Sequence, residues 1–270
     1  MDGEIPGWSL EGTLILGLPL IMLLYLYGIG PMRRSRRLGA PVERWRVAMF
    51  GGGLLILFLA LASPLDGIGE EYLFSAHMLQ HLVLMQIVAP MLVLGLPPWI
   101  MRTLPHNSAV WAISRALTQP VVTFLLSFLI FAIWHLPSFY EAALASVPVH
   151  YFQHLAIIFA GILMWWPGIS RVRALPRLSP PGRVLYYFLM PIPTSVLGAL
   201  ITFNGDIMYP TYAIAPRLWD ISPRMDQELA GLIMWVPGKL VFWIALAFAF
   251  FQWIGKEGTS AEPAPQSEAG

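Results

Sequence analysis

The sequence contains no cysteine. That absence removes disulfides, thiolate metal sites, cysteine nucleophiles and redox CxxC chemistry together. Any metal must be held by histidine, methionine, carboxylate or backbone oxygen. Charge is scarce too. Only 11% of the 270 residues are Asp, Glu, Lys or Arg, against about a quarter in soluble domains. The net charge of +1 gives no basic excess of the kind that binds nucleic acid. No H-E-x-x-H is present, since Met78 follows His77, and G-x-S-x-G, the P-loop and the dinucleotide fingerprint are missing as well. Intramembrane-protease signatures are also absent, and the expected role is not enzymatic. The opening "MDGEIPGWSLE" is acidic where a secretory signal would be basic, so the first apolar run reads as a retained anchor.

What is abundant is apolar length. The mean hydropathy is +0.66, and a span needs about 20 mainly apolar residues. Seven stretches qualify, at roughly 12–29, 47–63, 77–97, 119–136, 151–168, 184–203 and 229–254. The expected fold is all-α, a seven-helix transmembrane bundle over 1–254. Residues 255–270 have the composition of a disordered tail. The connection 97–120 reads as an interfacial amphipathic segment, and 204–228, with Tyr209, Tyr212 and Trp219, as an ordered loop.

Thirteen of sixteen Lys and Arg fall on one predicted side: six in 30–46, two in 97–118, four in 169–183, and Lys256. The other side holds Arg217 and Arg224 against eight acids. By the positive-inside bias the N-terminus lies outside and the tail is cytoplasmic.

That topology brings five of the six histidines to one membrane face. His77 and His81 open the third span, His135 ends the fourth in "WHLPSF", and His150 and His154 open the fifth. "HMLQHL" (77–82) and "HYFQHL" (150–155) share H-x-x-Q-H-L. Residues four apart lie on one helix face, so each motif can present two imidazoles to one ion. Gln80 and Gln153 stand beside that face, where they can bond a loop, a water or the far nitrogen of a ligating ring. A lone interfacial histidine is most often just hydrogen-bonded. Two matching pairs and a fifth ring at one depth favour a site. Imidazole ligation without thiolate suits copper, zinc, iron or nickel. Met85, one turn below His81, would tilt the choice to Cu(I), although methionine is also common packing. Two facing histidines could instead hold haem.

Glu141 follows "WHLPSFY" and could orient His135 or attract cations. Asp226, opening the last span with Glu228, either favours its own helix N-terminus or supports the histidines. Lys239 lies near the bilayer middle, where a charge costs roughly 2.5–3.5 kcal/mol. Snorkelling from the Pro237-Gly238 kink accounts for it. A retinal protein is excluded by the lack of an acidic counter-ion on the third span.

The stretches "AHMLQHLVLMQIVAPMLVLGLP", "WHLPSFYEAAL", "VHYFQHLAIIFAGILMWWP" and "DQELAGLIMWVPG" resemble the multi-span CtaG family of cytochrome c oxidase assembly factors, linked to caa(3)-type oxidases. A single-span copper-delivery protein of the same name is not similar. The resemblance covers nearly all of residues 10–254. It implies a multi-pass protein of the bacterial plasma membrane needed to make active oxidase, with oxidase subunits and the lipid bilayer as partners and copper as cargo. The family's histidine motifs match at His77, His81, His135, His150 and His154, and its acidic start of the last helix at Asp226. A haem-binding membrane protein and a transporter of cations or small solutes are the alternatives. An open, shallow site at the outer turns is expected for transfer.

Overall fold

A computed structural model describes residues 5–260. It is helical throughout, with no strand among the described residues. Eleven helices organise it. They are α1 (Gly12–Ser35), α2 (Arg44–Ala62), α3 (Pro64–Glu71), α4 (Phe74–Gly95), α5 (Ala109–Leu117), α6 (Pro120–Trp134), α7 (Pro137–Leu144), α8 (Val147–Ile169), α9 (Pro180–Phe203), α10 (Pro210–Ile214) and α11 (Pro223–Ser260). Proline stands at the first turn of α3, α6, α7, α8, α9 and α10, where its missing N–H costs nothing and its fixed φ suits a helix start.

Six helices (α1, α2, α4, α8, α9 and α11) are long and apolar enough to cross a membrane. The seventh expected span is shorter. α6 has 15 residues, about 22 Å of helix. It joins α5 at an 81° bend, so 97–120 resolves into a 3₁₀ turn (Ile100–Thr103) and an oblique α5, whose start Ser108 caps by accepting from Trp111 N–H. α11 runs on to Ser260, beyond the expected end at 254. Residues 261–270, most of the expected tail, lie outside the described residues.

The core centres on α4. Its Met78, Leu84, Met85 and Val88 pack with Ile157 and Ala160 of α8 and Phe242 of α11. α9 and α11 meet backbone to backbone. A Cβ on Gly231 would stand 2.2 Å from Thr202 Oγ1 and 2.6 Å from Gly198 O, the small-residue packing that brings membrane helices together. α1 lies at the periphery with no buried residue in its first sixteen. It is tied by the Tyr25 hydroxyl to Gly95 O at 2.8 Å and by stacking on Phe50 at 4.0 Å.

A charged side chain from another helix holds each end of α4. Both carboxylate oxygens of Asp226 accept its first N–H groups, from Phe74 at 2.7 Å and Ser75 at 2.9 Å. At the other end Arg46 donates to Leu94 O at 2.8 Å. α4 is thereby fixed along its axis, and with it the height of His77 and His81.

Candidate metal centre

α4 and α8 point the same way with their H-x-x-Q-H-L starts side by side. The rings of His77 and His81 stand 4.3 Å apart, those of His150 and His154 4.2 Å, and across the helices His77–His154 is 6.0 Å and His81–His154 5.7 Å. One ring nitrogen from each of His77, His81 and His154 lies within 4.8 Å of the others. The Nε2 atoms of His77 and His81 face each other at 2.9 Å. Two lone pairs repel at that range, so a shared proton or a shared cation must lie between them. Ligands about 2.0–2.1 Å from one ion stand about 2.9 Å apart at a right angle and about 3.4 Å at the tetrahedral angle. The pair is therefore already spaced for one ion, and a nitrogen of His154 stands within 4.8 Å of both.

Ring nitrogens are also left over. His81 Nδ1, His150 Nε2 and His154 Nε2 are buried with no hydrogen-bond partner among the described residues, and His77 Nδ1 has only the backbone of Gly69 nearby. Buried polar atoms without partners are rare and each one calls for a reason. His150 gives Nδ1 to Glu70 Oε1 at 2.5 Å. That contact orients the ring and fixes its tautomer, and Nε2 is the nitrogen left over. His135 is adjacent rather than central. Its ring is 6.1 Å from His81, with Nδ1 on Phe131 O at 2.6 Å and Nε2 on Met78 Sδ at 3.4 Å.

The cluster is closed, not shallow. All five rings are buried, with His77 at 0% exposure. Elements between the spans fold back over them. Tyr212 of α10 donates to Gly69 O of α3 at 2.6 Å and meets the Tyr140 hydroxyl of α7 at 3.0 Å, while Tyr209 donates to His135 O at 2.8 Å. Phe74 sits among these tyrosines. At Gly69 a Cβ would be 3.0 Å from His77 Cα, so only glycine lets α3 lie this close. Below His81 a cavity of about 30 Å³ is lined by Met78, Met85, Gln86 and Met234.

The supporting residues divide. Asp226 supports α4 through the backbone, as described above. Gln80 bonds Ala60 O at 2.9 Å and Asp66 Oδ1 at 2.5 Å, not an imidazole. Burial and then the neighbouring Glu70 push the Asp66 carboxyl up to about 6. Gln153 is buried beside the rings with both amide atoms unpartnered. Glu141 does not reach His135; it accepts from the Thr211 hydroxyl at 2.5 Å and ties α7 to α10. Lys239 is away from the cluster, with Nζ 4.8 Å over the Trp235 ring. Sequence reading missed Glu70 and the tyrosine roof. Glu70 carried a faint signal as one of two adjacent acids in a short Pro-led helix ahead of His77.

Among known proteins, an uncharacterised protein of Mycobacterium leprae is 25% identical over 82% of this chain and 36% of its own length. Uncharacterised proteins of Mycobacterium bovis and Mycobacterium tuberculosis are each 24% identical over 91% of this chain and 39% of their own. The chain thus spans little more than a third of the curated relatives it matches. No solved structure matches it. The profile of one family, described as cytochrome c oxidase caa3 assembly factor, matches residues 23–256, and the chain belongs to that family.

Proposed function

We propose that this membrane protein binds copper at the His77–His81–His154 cluster, with His150 as a fourth donor, and passes it to an oxidase subunit during assembly. The observation that carries this reading is the trio of buried imidazoles with ligand nitrogens within 4.8 Å of one another; further buried ring nitrogens beside them have no hydrogen-bond partner among the described residues. A neutral, thiolate-free donor set with thioethers one turn below suits copper. The protein acts as a binding and handing-on device rather than an enzyme. The arginine-rich ends of the helices support a cytoplasmic C-terminus and an outward-facing cluster, in a bacterial plasma membrane.

Haem fits less well. The imidazole rings pack directly on one another at 4.2–6.0 Å, leaving no slot for a macrocycle, and the neighbouring cavity is only about 30 Å³. Solute transport would require polar groups along the bundle, whereas the cluster sits at one end.

Purified full-length protein should take up about one copper per chain, and His77→Ala with His154→Ala should weaken that binding at least tenfold. Lys239→Met, outside the cluster, should leave it unchanged. Unaltered copper stoichiometry and affinity in the double variant, with a normal thermal transition, would sink the proposal.

A further inference from the structure

The end of the bundle opposite the histidines carries a second feature. A cavity of about 760 Å³ is walled by Arg46, Arg102, Arg171, Arg173 and Arg177, with Glu43 as its sole acid. Glu43 is already engaged, accepting from Arg46 Nε at 2.9 Å and Trp45 Nε1 at 3.0 Å. Arg46 is spent on α4, and Arg102 donates to Leu38 O at 3.0 Å. Arg171, Arg173 and Arg177 make no hydrogen bond or ion pair among the described residues. Three guanidinium groups, each with five N–H donors, thus line one concavity with no counter-charge.

The wall is rigid. Trp99 Nε1 donates to Ala40 O at 3.1 Å, and Leu178 N–H to Pro167 O at 3.1 Å. Val172 and Leu175, between the arginines, are buried against Trp166 and Met101. A Cβ on Gly39 would fall 2.6 Å from the Trp99 ring, so the loop lies flat on that indole.

A second groove, of about 440 Å³, shares Arg171 and Arg177 with the first and adds Arg183. Its other wall belongs to spans and is mostly apolar: Leu94 of α4, Ile169 of α8, and Ala245, Phe248 and Ala249 of α11, with Gln252 at its end. Arg171 and Arg177, both exposed, therefore stand where an open cationic hollow meets a mostly apolar groove walled by the spans. A bare surface charge excess, such as orients membrane proteins, does not require either cavity.

We propose that this junction binds the phosphate of an anionic glycerophospholipid. Arg171 and Arg177 clamp the phosphate oxygens, Arg173 and Arg102 face the remainder of the headgroup, and the acyl chains lie in the groove beside Phe248. Planar guanidinium suits bidentate phosphate recognition, and basic pockets at helix ends take up such headgroups. The site is independent of the histidine cluster.

The test is native mass spectrometry of the full chain in detergent doped with cardiolipin, phosphatidylglycerol or phosphatidylcholine. The comparison is between wild type, Arg171→Gln with Arg177→Gln, and the control Arg34→Gln with Arg36→Gln. The control removes the same charge from exposed residues on the same face, outside both cavities. The expected result is retention of the anionic lipids over phosphatidylcholine, lowered at least tenfold in the Arg171/Arg177 variant and less than twofold in the control. Equal loss in both variants would reduce the effect to general surface charge and overturn the proposal. Complete competition by millimolar inorganic phosphate would assign the hollow to a free anion and overturn the lipid part.

Discussion

Removing the Asp226 carboxylate tests the architecture most directly. Asp226 is fully buried and gives one oxygen each to the N–H groups of Phe74 and Ser75, at 2.7 and 2.9 Å. These are two of the four N–H groups that a helix start leaves without a partner, and α4 has no side-chain cap of its own. Stranding a buried donor costs about 1–3 kcal/mol, and more where the lost partner was charged. Asp226→Ala should therefore cost about 3–5 kcal/mol. At about 2–4 °C per kcal/mol for a chain of this size, the apparent thermal transition in detergent should fall by roughly 10 °C, with the variants compared at one scan rate. Glu228→Ala is the internal control. Among the described residues the Glu228 carboxylate meets only Arg224, at 2.6 Å on an exposed surface, a kind of pair worth about 0–1 kcal/mol. Because His77 and His81 ride on the first two turns of α4, copper binding should weaken in Asp226→Ala and not in Glu228→Ala. A transition for Asp226→Ala within 2 °C of wild type would refute the reasoning.

Two further outcomes follow from packing and from the roof. Gly231→Ala places a methyl group 2.2 Å from Thr202 Oγ1 and 2.6 Å from Gly198 O, forcing α9 from α11. It should destabilise by at least 1–3 kcal/mol, read as a lowered thermal transition, and an unchanged transition would contradict the close approach. Tyr212→Phe removes the bonds from α10 to Gly69 O and to Tyr140 without touching an imidazole. Stopped-flow loading should show copper entering faster with unchanged final stoichiometry, and a loading rate equal to wild type would mean the roof does not limit entry.

How much of this was legible in the sequence differs by residue. The common depth of His77, His81, His135, His150 and His154 followed from span alternation and the four-residue spacing, both local properties that a helix converts directly into position. Their burial did not follow, because the roof is assembled from 64–71, 137–144 and 204–222, segments distant in sequence whose polarity reads as loop. Asp226 shows the same limit. An acid in a first turn reads as serving its own helix, whereas this one caps α4, 152 residues away in the chain. Glu141 lies six positions after His135, yet half of a short helix separates them and turns the carboxylate to Thr211. The expected span 119–136 begins where α6 does and overshoots at the other end, where the helix stops at Trp134 and a new one starts at Pro137.

The histidines and the arginines are joined by one helix. α4 receives an anion at its N-terminus from α11 and a cation at its C-terminus from α2, the two signs that the helix dipole favours at those ends. Both contacts are to backbone and set the axial position of the helix without limiting its side chains. The protein can therefore hold ring nitrogens of His77 and His81 unpartnered, each at a cost of about 1–3 kcal/mol, without α4 sliding to satisfy them. A bundle that merely needed to span the bilayer would gain stability by replacing those rings with leucine. Keeping them buried and mutually oriented, with ring nitrogens left over, is what the proposed binding role would require. The tyrosine roof, made of hydrogen bonds between short helices rather than of packed spans, is the part of the structure that can open at least cost to admit copper.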